Sequence, residues 1–368
     1  MRAAVAAGAE AMVVTHPPDV RYLSGFTGSS GAVAMVGGRA ALFTDGRYTT
    51  QAKAEVEGLK VVIEQRPPAV RAVEWLAGAG VKRCAFDAGQ TSVAAMEAMK
   101  RALPAGRRRS FLVATDGLVA KIREVKDEDE IALMRSAAAL GCSLFESVLE
   151  HVVAGATEAG IAAELEYRAR LAGAEAMSFE TIVASGERSA LPHGRATGAK
   201  LPKRGFVTMD FGVLLDGYCS DMTRTVHVGK GSDWEWDVYH SVLEAQQAAV
   251  AAVGPGVRCC DVDEAARSVL RRAGLEREFS HSTGHGVGLE IHEGPRIAAK
   301  QEQRLEAGMV ITVEPGAYLS MQPVGGAKVK GRSSSAEVFG VRIEDMVLVT
   351  AGGGEVLTAA SPKAWMEL

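Results

Sequence analysis

The sequence lacks any uncharged stretch long enough to cross a membrane as a helix, which needs about 20 consecutive apolar residues. The longest uncharged run, residues 22–38, is broken by glycine and serine. The N-terminus is rich in alanine but reaches Glu10 without a long apolar region, so it does not resemble a signal peptide. We therefore expect a protein with no membrane partner.

Patterned cysteines and a surplus of positive charge are also missing. The five cysteines are scattered, odd in number and without a CxxC pair, which favours a reduced, cytoplasmic chain over a disulfide framework. Lys and Arg number 41 against 45 Asp and Glu, giving a net charge of −4. This balance argues against nucleic acid as a partner, because no excess of cations is available to displace phosphate counterions.

What the sequence does contain is enough chain for about two domains: 368 residues, of which 47% are hydrophobic. The first third alternates short apolar runs with helical patterns, which is typical of an α/β domain. Its predicted strands are 11–15, 32–36, 40–44, 60–63 and 84–87, and its predicted helices are 48–56 and 91–101. The sequence pattern changes near residue 120, where the short alternating strands and helices give way to longer predicted helices. We therefore predict a smaller domain over residues 1–121 and a larger one over residues 122–368.

The larger domain combines helices with strands. A long helix is predicted after Lys126, where acidic residues suit the positive end of the helix dipole. Three further helices are predicted, from about residue 157 and over 234–253 and 261–273. The predicted strands are 207–213, 218–228, 309–314 and 338–349. Helices clustered against antiparallel strands make this domain α+β.

An Asp-Gly pair at positions 216–217 stands between two apolar runs and predicts a β-hairpin with a two-residue loop. This register places Gly212 opposite Asp221 and puts Asp210 on the same face as Asp221, one diagonal step away. Two acidic side chains aimed at one spot repel each other. Either the pair lies on a solvated face, or a cation lies between the two carboxylates.

Three further features favour the cation. One glycine-rich segment carries three histidines: His281, His285 and His292. Glu314 ends an apolar strand, and Glu344 interrupts another strand that is otherwise fit for burial. An unpaired buried charge costs several kcal/mol, so these carboxylates need a partner. Two Asp, one His and two Glu form an oxygen-rich donor set that suits a pair of divalent ions such as Mn²⁺, Co²⁺, Fe²⁺ or Zn²⁺.

These residues, in this order, resemble the metal ligands of the pita-bread metallopeptidases, the family of methionine aminopeptidase, aminopeptidase P and prolidase. The segments TGHGVG (283–288) and VRIED (341–345) are similar to family signatures. FETIVASGERSALPHG (179–194) resembles the segment of the proline-specific branch that supplies a substrate-facing histidine. RYLSGFTGSS (21–30) and TDGRY (44–48) resemble the creatinase/prolidase N-terminal domain, which methionine aminopeptidases lack.

The resemblance implies a pita-bread catalytic domain preceded by a smaller α/β domain of the creatinase/prolidase type. It also implies two divalent metal ions, with Mn²⁺ preferred over Co²⁺, Zn²⁺ or Fe²⁺. Asp221 and Glu344 would bridge the two ions, Asp210 would bind one ion, and His285 with Glu314 would bind the other. Glu314 would also carry a proton to the proline nitrogen. The other expected catalytic residues are near the substrate or beside the bridging carboxylate: His193, His281, His292 and Arg342.

The function implied is an exopeptidase that releases the residue before proline, acting on peptides with proline in second position. The N-terminal motifs favour aminopeptidase P over prolidase, and relatives with this two-domain build lead us to expect a homodimer. Two alternatives from other classes are a pita-bread binding protein without peptidase chemistry and a creatinase-like amidinohydrolase. The complete set of five ligands counts against both.

The segment over residues 319–338 departs from the family pattern, because it is longer than the short turn usual in bacterial proline-specific members. Its glycines and serines predict a surface loop. Since this loop joins two ligand-bearing strands, we expect it to overhang the cleft and influence the length of the substrate.

Overall fold

The computed structural model describes residues 4–5, 8–319 and 338–368. The chain divides into two compact units, Met1–Arg123 and Glu124–Leu368. Apart from its end residues, the loop predicted over 319–338 lies outside the described residues, so its expected role at the cleft stays a prediction.

The first unit is built on a mixed six-stranded sheet with the order β4-β3-β2-β1-β5-β6. Its strands are β1 (Ala11–Val14), β2 (Gly31–Val36), β3 (Arg39–Asp45), β4 (Lys60–Glu64), β5 (Cys84–Asp87) and β6 (Leu112–Thr115). Strands β1 to β3 pair antiparallel, and the remaining pairs are parallel. Its helices are α1 (Pro17–Ser24), α2 (Thr49–Glu55), α3 (Pro68–Gly78), α4 (Val93–Ala102) and the single turn α5 (Ala120–Arg123).

Helices cover both faces of this sheet. Successive side chains of a strand point to opposite faces. Accordingly, Ala11 and Val13 of β1 belong to one core with residues of α3 and α4. Met12 and Val14 belong to another core with residues of α1 and α2. The layers confirm the α/β class predicted for this part of the chain.

The second unit contains four long helices: α6 (Glu128–Val148), α7 (Glu158–Leu171), α8 (Asp233–Ala252) and α9 (Cys259–Arg272). Helix α6 begins with a capping box, in which Asp127 and Glu130 each accept a backbone hydrogen bond from the other. By length and composition alone, the stretch Glu128–His151 is apolar enough to cross a membrane. In the structure its apolar side chains pack with α7 and neighbouring strands, so α6 is a core helix of this unit.

Thirteen short strands make up four sheets among the described residues of the second unit. They are β7 (Ala176–Met177), β8 (Ile182–Ser185), β9 (Gly205–Phe211), β10 (Val213–Leu215), β11 (Tyr218–Cys219), β12 (Met222–Val228), β13 (Gly284–Gly286), β14 (Glu293–Ile297), β15 (Val310–Val313), β16 (Gly316–Leu319), β17 (Phe339–Arg342), β18 (Asp345–Thr350) and β19 (Gly353–Val356). The sheet orders are β11-β10-β7, β12-β9-β8, β14-β13-β15-β18-β19 and β16-β17. Helices packed on antiparallel strands confirm the predicted α+β class.

The predicted hairpin around residues 216–217 has the expected register, with Leu215 opposite Tyr218. Both loop residues have positive φ, as the favoured two-residue loop requires. The hairpin is nevertheless not one continuous ladder, because it bends at Gly212 and passes from one sheet to another. A Cβ atom at Gly212 would lie 1.7 Å from the carbonyl oxygen of Ser220, so only glycine allows this close crossing.

A second long hairpin bends in the same way. The single strand predicted over 338–349 is wrong, because β17 and β18 lie in different sheets and are separated by two residues. Val313 pairs with Asp345 before the bend and Gly316 pairs with Arg342 after it. The register is the same on both sides, so Glu314 and Glu344 lie opposite each other at the bend.

Candidate active site

A cavity of about 320 Å³ in the second unit is lined by acidic, histidine and apolar side chains. All five side chains predicted as metal ligands reach it: Asp210, Asp221, His285, Glu314 and Glu344. Each of these residues lies on or beside one of the two bent hairpins or on β13. The sheet bends therefore carry side chains that are distant in sequence to one place.

The first hairpin supplies two of the carboxylates. Asp210 lies in β9 opposite Thr223, and Asp221 lies at the bend immediately before β12. Both residues are buried, and their side chains line the same cavity, as the hairpin register predicts. A solvated face, the alternative that the sequence left open, is wrong for this pair because Asp221 is 4% exposed.

His285 stands between carboxylates of both hairpins. Its Nε2 atom lies 3.6 Å from Asp221 Oδ2 and 3.7 Å from Glu314 Oε1. Its Nδ1 atom lies 2.9 Å from the carbonyl oxygen of Gly286, which can accept a hydrogen bond from an Nδ1–H. That tautomer leaves the Nε2 lone pair facing the carboxylates, the arrangement in which histidine binds a metal ion.

Glu344 completes a compact group of donors. One ligand atom from each of Asp221, His285 and Glu344 lies within 4.8 Å of the other two. Thr223 Oγ1 donates a hydrogen bond of 2.7 Å to Glu344 Oε2. The orientation of the Glu344 carboxylate is therefore held by a neighbour from β12.

The negative charges of this group repel one another when no metal ion is bound. Burial raises the pKa of Asp221 well above its usual value, and the charge of Glu344 raises it further. Burial and the charge of Glu344 also raise the pKa of Glu314 well above its usual value. Burial and the charge of Asp210 raise the pKa of Glu344 to about 8. Burial also lowers the pKa of His285 to about 4, so its ring is neutral near pH 7 and cannot offset these charges.

The donor set fits divalent ions. Asp210 Oδ1 is buried and accepts no hydrogen bond from the part of the chain that the structure describes, so it remains available to a cation. Four carboxylates and one imidazole match the preference of Mn²⁺ and similar ions for oxygen with some nitrogen. Such ions would relieve the repulsion that raises the carboxyl pKa values.

Arg342 is buried in the middle of this acidic group. Its Nη2 donates to Asp210 Oδ2 at 2.6 Å, and its Nε donates to Thr223 Oγ1 at 3.1 Å. Its Nη1 donates to Tyr318 Oη at 2.8 Å. We expected Arg342 beside the bridging carboxylate, but its direct partner is Asp210, and it reaches Glu344 only through the Thr223 hydroxyl.

The other predicted catalytic histidines border a second cavity of about 430 Å³, which shares Asp210, His285 and Glu314 with the first. His193 and His292 are exposed and line both cavities. His281 lines the second cavity only, and its Nε2 lies 2.8 Å from the Tyr318 hydroxyl. Burial and the charge of Arg342 lower the pKa of His281 to about 4, so this ring is neutral.

Sequence reasoning missed several residues at the site. Arg296 is exposed, lines the second cavity and pairs with His285 across the β13–β14 ladder. Phe179, Ile182 and Ile291 give the first cavity an apolar wall. A predicted strand pair flanking the turn after His285 would have indicated Arg296, but β13 has only three residues, too few for a strand to be predicted from sequence.

Two family models match the chain. Metallopeptidase family M24 matches residues 132–351, and the Creatinase/Prolidase N-terminal domain matches residues 2–125. Together these matches confirm the predicted fold class, an α+β pita-bread domain preceded by a smaller α/β domain of the creatinase/prolidase type.

Individual proteins resemble the chain over nearly its whole length. An Xaa-Pro dipeptidase of Pyrococcus horikoshii is 33% identical over 95% of this chain and 92% of that protein. The structure of an Xaa-Pro dipeptidase from Bacillus anthracis is 37% identical with a TM-score of 0.91, covering 100% of this chain and 98% of the other. The structure of an X-Pro aminopeptidase from Thermotoga maritima is 34% identical with a TM-score of 0.87, covering 100% of both chains.

Proposed function

The chain belongs to metallopeptidase family M24, as its motifs predicted, and from this premise we propose that it is a prolidase. It would hydrolyse dipeptides between an N-terminal residue and proline. The sequence motifs alone favoured aminopeptidase P. We now favour prolidase over aminopeptidase P because two of the three relatives described above bear the name Xaa-Pro dipeptidase.

The ions that family M24 requires would be held by the five side chains that share the first cavity. We infer the assignment implied by the resemblance: Asp221 and Glu344 to both ions, Asp210 to one, and His285 with Glu314 to the other. When bound, two divalent cations lower the pKa of water and polarise the carbonyl of the scissile bond. The oxygen-rich donor set supports Mn²⁺ as the working ion, with Co²⁺, Zn²⁺ and Fe²⁺ as competitors.

Proton transfer falls to Glu314 in this proposal. Its carboxylate lies in the cavity with Oε1 directed toward His285. Glu314 would take a proton from the attacking water and deliver it to the proline nitrogen. A tertiary amide nitrogen must be protonated before it leaves, so a positioned general acid is required.

The histidines and Arg342 would orient the substrate. His193 and His292 lie where the two cavities meet, so a peptide whose scissile bond is at the metal ligands would contact both. His281, neutral and held by Tyr318, would form one side of the proline pocket. Arg342 would keep Asp210 in place through their 2.6 Å hydrogen bond.

The observation that carries the choice of a dipeptide is the position of Arg296. Residues paired across an antiparallel ladder present their side chains on the same face, so Arg296 stands beside the ligand His285. Arg296 is exposed and lines the second cavity together with His281 and Arg342. A guanidinium binds a carboxylate through two parallel hydrogen bonds. A free proline carboxylate at Arg296 would place the preceding peptide bond near the metal ligands.

The test compares an Xaa-Pro dipeptide with an Xaa-Pro-Xaa tripeptide on the Mn²⁺-loaded enzyme, with products identified by mass. We expect kcat/KM for the dipeptide to be at least about tenfold higher, because the tripeptide offers no proline carboxylate to Arg296. Equal or faster cleavage of the tripeptide would instead make the enzyme an aminopeptidase P.

Aminopeptidase P is the second candidate, on two observations. The resemblance of segments 21–30 and 44–48 favours it, and one of the similar structures is named an X-Pro aminopeptidase. A binding protein without activity and a creatinase-like amidinohydrolase rank lower, because all five ligand side chains are present and share one cavity.

The proposal includes a cytoplasmic enzyme that works as a homodimer. The scattered, odd-numbered cysteines support the reducing compartment. The dimer rests on the resemblance, and light scattering of the purified protein would test it.

A further inference from the structure

Two residues that follow Asp221 on β12 hold the backbone and side chain of Glu344. The Glu344 amide donates to the carbonyl oxygen of Thr223 at 3.1 Å. The Thr223 hydroxyl donates to Glu344 Oε2 at 2.7 Å. The Arg224 guanidinium donates to the carbonyl oxygen of Glu344. The amide, the carbonyl and one carboxylate oxygen of a single candidate ligand are thus bound by two consecutive residues.

These contacts matter because Glu344 lies at a sheet bend. It falls between β17 and β18, where neither strand's ladder includes it. The regular hydrogen bonds that fix a residue inside a strand are therefore replaced at this point by bonds to Thr223 and Arg224. Both residues are at most 1% exposed, so solvent does not compete for their hydrogen bonds.

Arg224 is itself held by residues that line neither cavity. Its Nη2 donates to Asp345 Oδ1 at 2.8 Å and to the carbonyl oxygens of Thr358 and Ser361 at 3.2 and 3.0 Å. Asp345 is fully buried and also accepts hydrogen bonds from three other side chains: Gln246, Thr358 and Lys363. The C-terminal segment thus fixes Arg224, and Arg224 fixes Glu344.

We propose that Thr223 and Arg224 are positioning residues that hold Glu344 for the metal pair. The inference rests on the proposed function, because that function makes Glu344 a ligand of both ions. Groups that orient a metal ligand through hydrogen bonds typically change metal affinity by about 10- to 100-fold when they are removed. A residue that only supported the fold would change stability without changing metal affinity selectively.

The first test replaces the Thr223 hydroxyl and measures Mn²⁺ binding by titration calorimetry on full-length, metal-stripped protein without peptide. Thr223→Val keeps the shape and removes the hydroxyl, and we expect affinity for the weaker ion to fall at least about tenfold. Thr223→Ser restores a hydroxyl, and we expect it to recover affinity to within about threefold of the wild type. Thr208→Val is the matched control, since Thr208 is also buried and its hydroxyl, among the described residues, bonds to the hydroxyl of Thr225 and to no candidate ligand.

A second pair of variants tests the same inference if Thr223→Val does not fold. Arg224→Lys keeps the charge but loses the forked contact, and Arg123→Lys disturbs another buried ion pair, that of Arg123 with Asp19 in the first unit. We expect both variants to lower the melting temperature of metal-free protein, but only Arg224→Lys to weaken Mn²⁺ binding. At saturating Mn²⁺, kcat on an Xaa-Pro dipeptide should recover more than metal affinity does.

Unchanged Mn²⁺ affinity in Thr223→Val and Arg224→Lys overturns the inference, as does equal weakening in their controls. Since the titration contains no peptide, it is independent of substrate choice. A wild type that binds two Mn²⁺ ions but cleaves no Xaa-Pro peptide would refute the proposed function alone. A wild type that binds no Mn²⁺, Co²⁺ or Zn²⁺ would refute both.

Discussion

Arg296 offers the most informative perturbation of substrate choice. The substitution Arg296→Met keeps an unbranched apolar chain in place of the aliphatic stem and removes the guanidinium from the second cavity. Among the residues that the structure describes, Arg296 forms no hydrogen bond or ion pair with the five ligand side chains, and it is the ladder partner of His285 between β13 and β14. The metal site should therefore survive the substitution, while recognition of the proline carboxylate is lost.

The magnitude follows from the exposure of Arg296. A hydrogen bond to a charged group contributes about 1.5–3 kcal/mol, whereas an exposed ion pair contributes about 0.2–1 kcal/mol. Arg296 is exposed in the free protein, so its bond to a substrate carboxylate should fall between these two ranges. We therefore expect about 1.4 kcal/mol, which is about tenfold in kcat/KM.

The assay compares an Xaa-Pro dipeptide with its C-terminal amide in the wild type and in Arg296→Met. The wild type should prefer the free carboxylate about tenfold, and the variant should treat the two substrates nearly alike. Arg271→Met is the control, because Arg271 forms ion pairs on the surface of α9, away from both cavities. If Arg296→Met loses activity on dipeptide and amide equally, the guanidinium does not read the carboxylate and the reasoning is refuted.

Three further predictions follow from other parts of the structure. Removing metal with a chelator should lower the melting temperature by about 10 °C relative to saturating Mn²⁺. A ligand at 1,000 times its Kd adds about 4 kcal/mol to the free energy of unfolding. An unchanged melting temperature would count against a metal bound by the native fold. The first cavity has an apolar wall formed by Phe179, Ile182 and Ile291, so kcat/KM should be about tenfold higher for Leu-Pro than for Gly-Pro. The substitution Ile291→Ala should reduce that ratio, as measured by steady-state kinetics on both dipeptides. Burial opposes protonation of His227. Its hydrogen bonds to Glu235 and to the carbonyl oxygen of Gly229, together with the negative charge of Glu235, outweigh burial and raise its pKa above 6.5. A group whose pKa is raised by folding stabilises the fold below its unfolded pKa, here about 6.5, and this stabilisation is lost as pH rises through the pKa of the folded state. The substitution His227→Gln should therefore lower the melting temperature more at pH 6 than at pH 9. A larger loss at pH 9 would contradict a raised pKa for His227.

The sequence allowed the first hairpin to be predicted well, because its signals are local. Residues 216–217 form a turn whose φ values only a few residue types tolerate, and the alternation around it sets which side chains share a face. The neighbourhood of Asp210 and Asp221 followed from that register without knowledge of any other strand.

The bends and the contacts across them were not predictable from local pattern. The passage of β17 into β18 at Glu344 depends on pairing with β15 and β16, which are distant in sequence. Arg342 was placed beside Glu344 on the assumption of a continuous strand, but the bend turns it toward Asp210. Arg296 was not predictable as a site residue because its partner strand β13 has only three residues, too few to predict a strand from the alternation of apolar and polar side chains.

The proposed function depends on five side chains, from strands β9 and β13 and from the bends between other strands, that bind two divalent ions in one cavity. Crystals of the metal-stripped protein soaked in Mn²⁺ and measured at the manganese absorption edge would test it most directly. We expect two anomalous peaks per chain, both among Asp210, Asp221, His285, Glu314 and Glu344. Peaks elsewhere, or none in this cavity at saturating Mn²⁺, would contradict it.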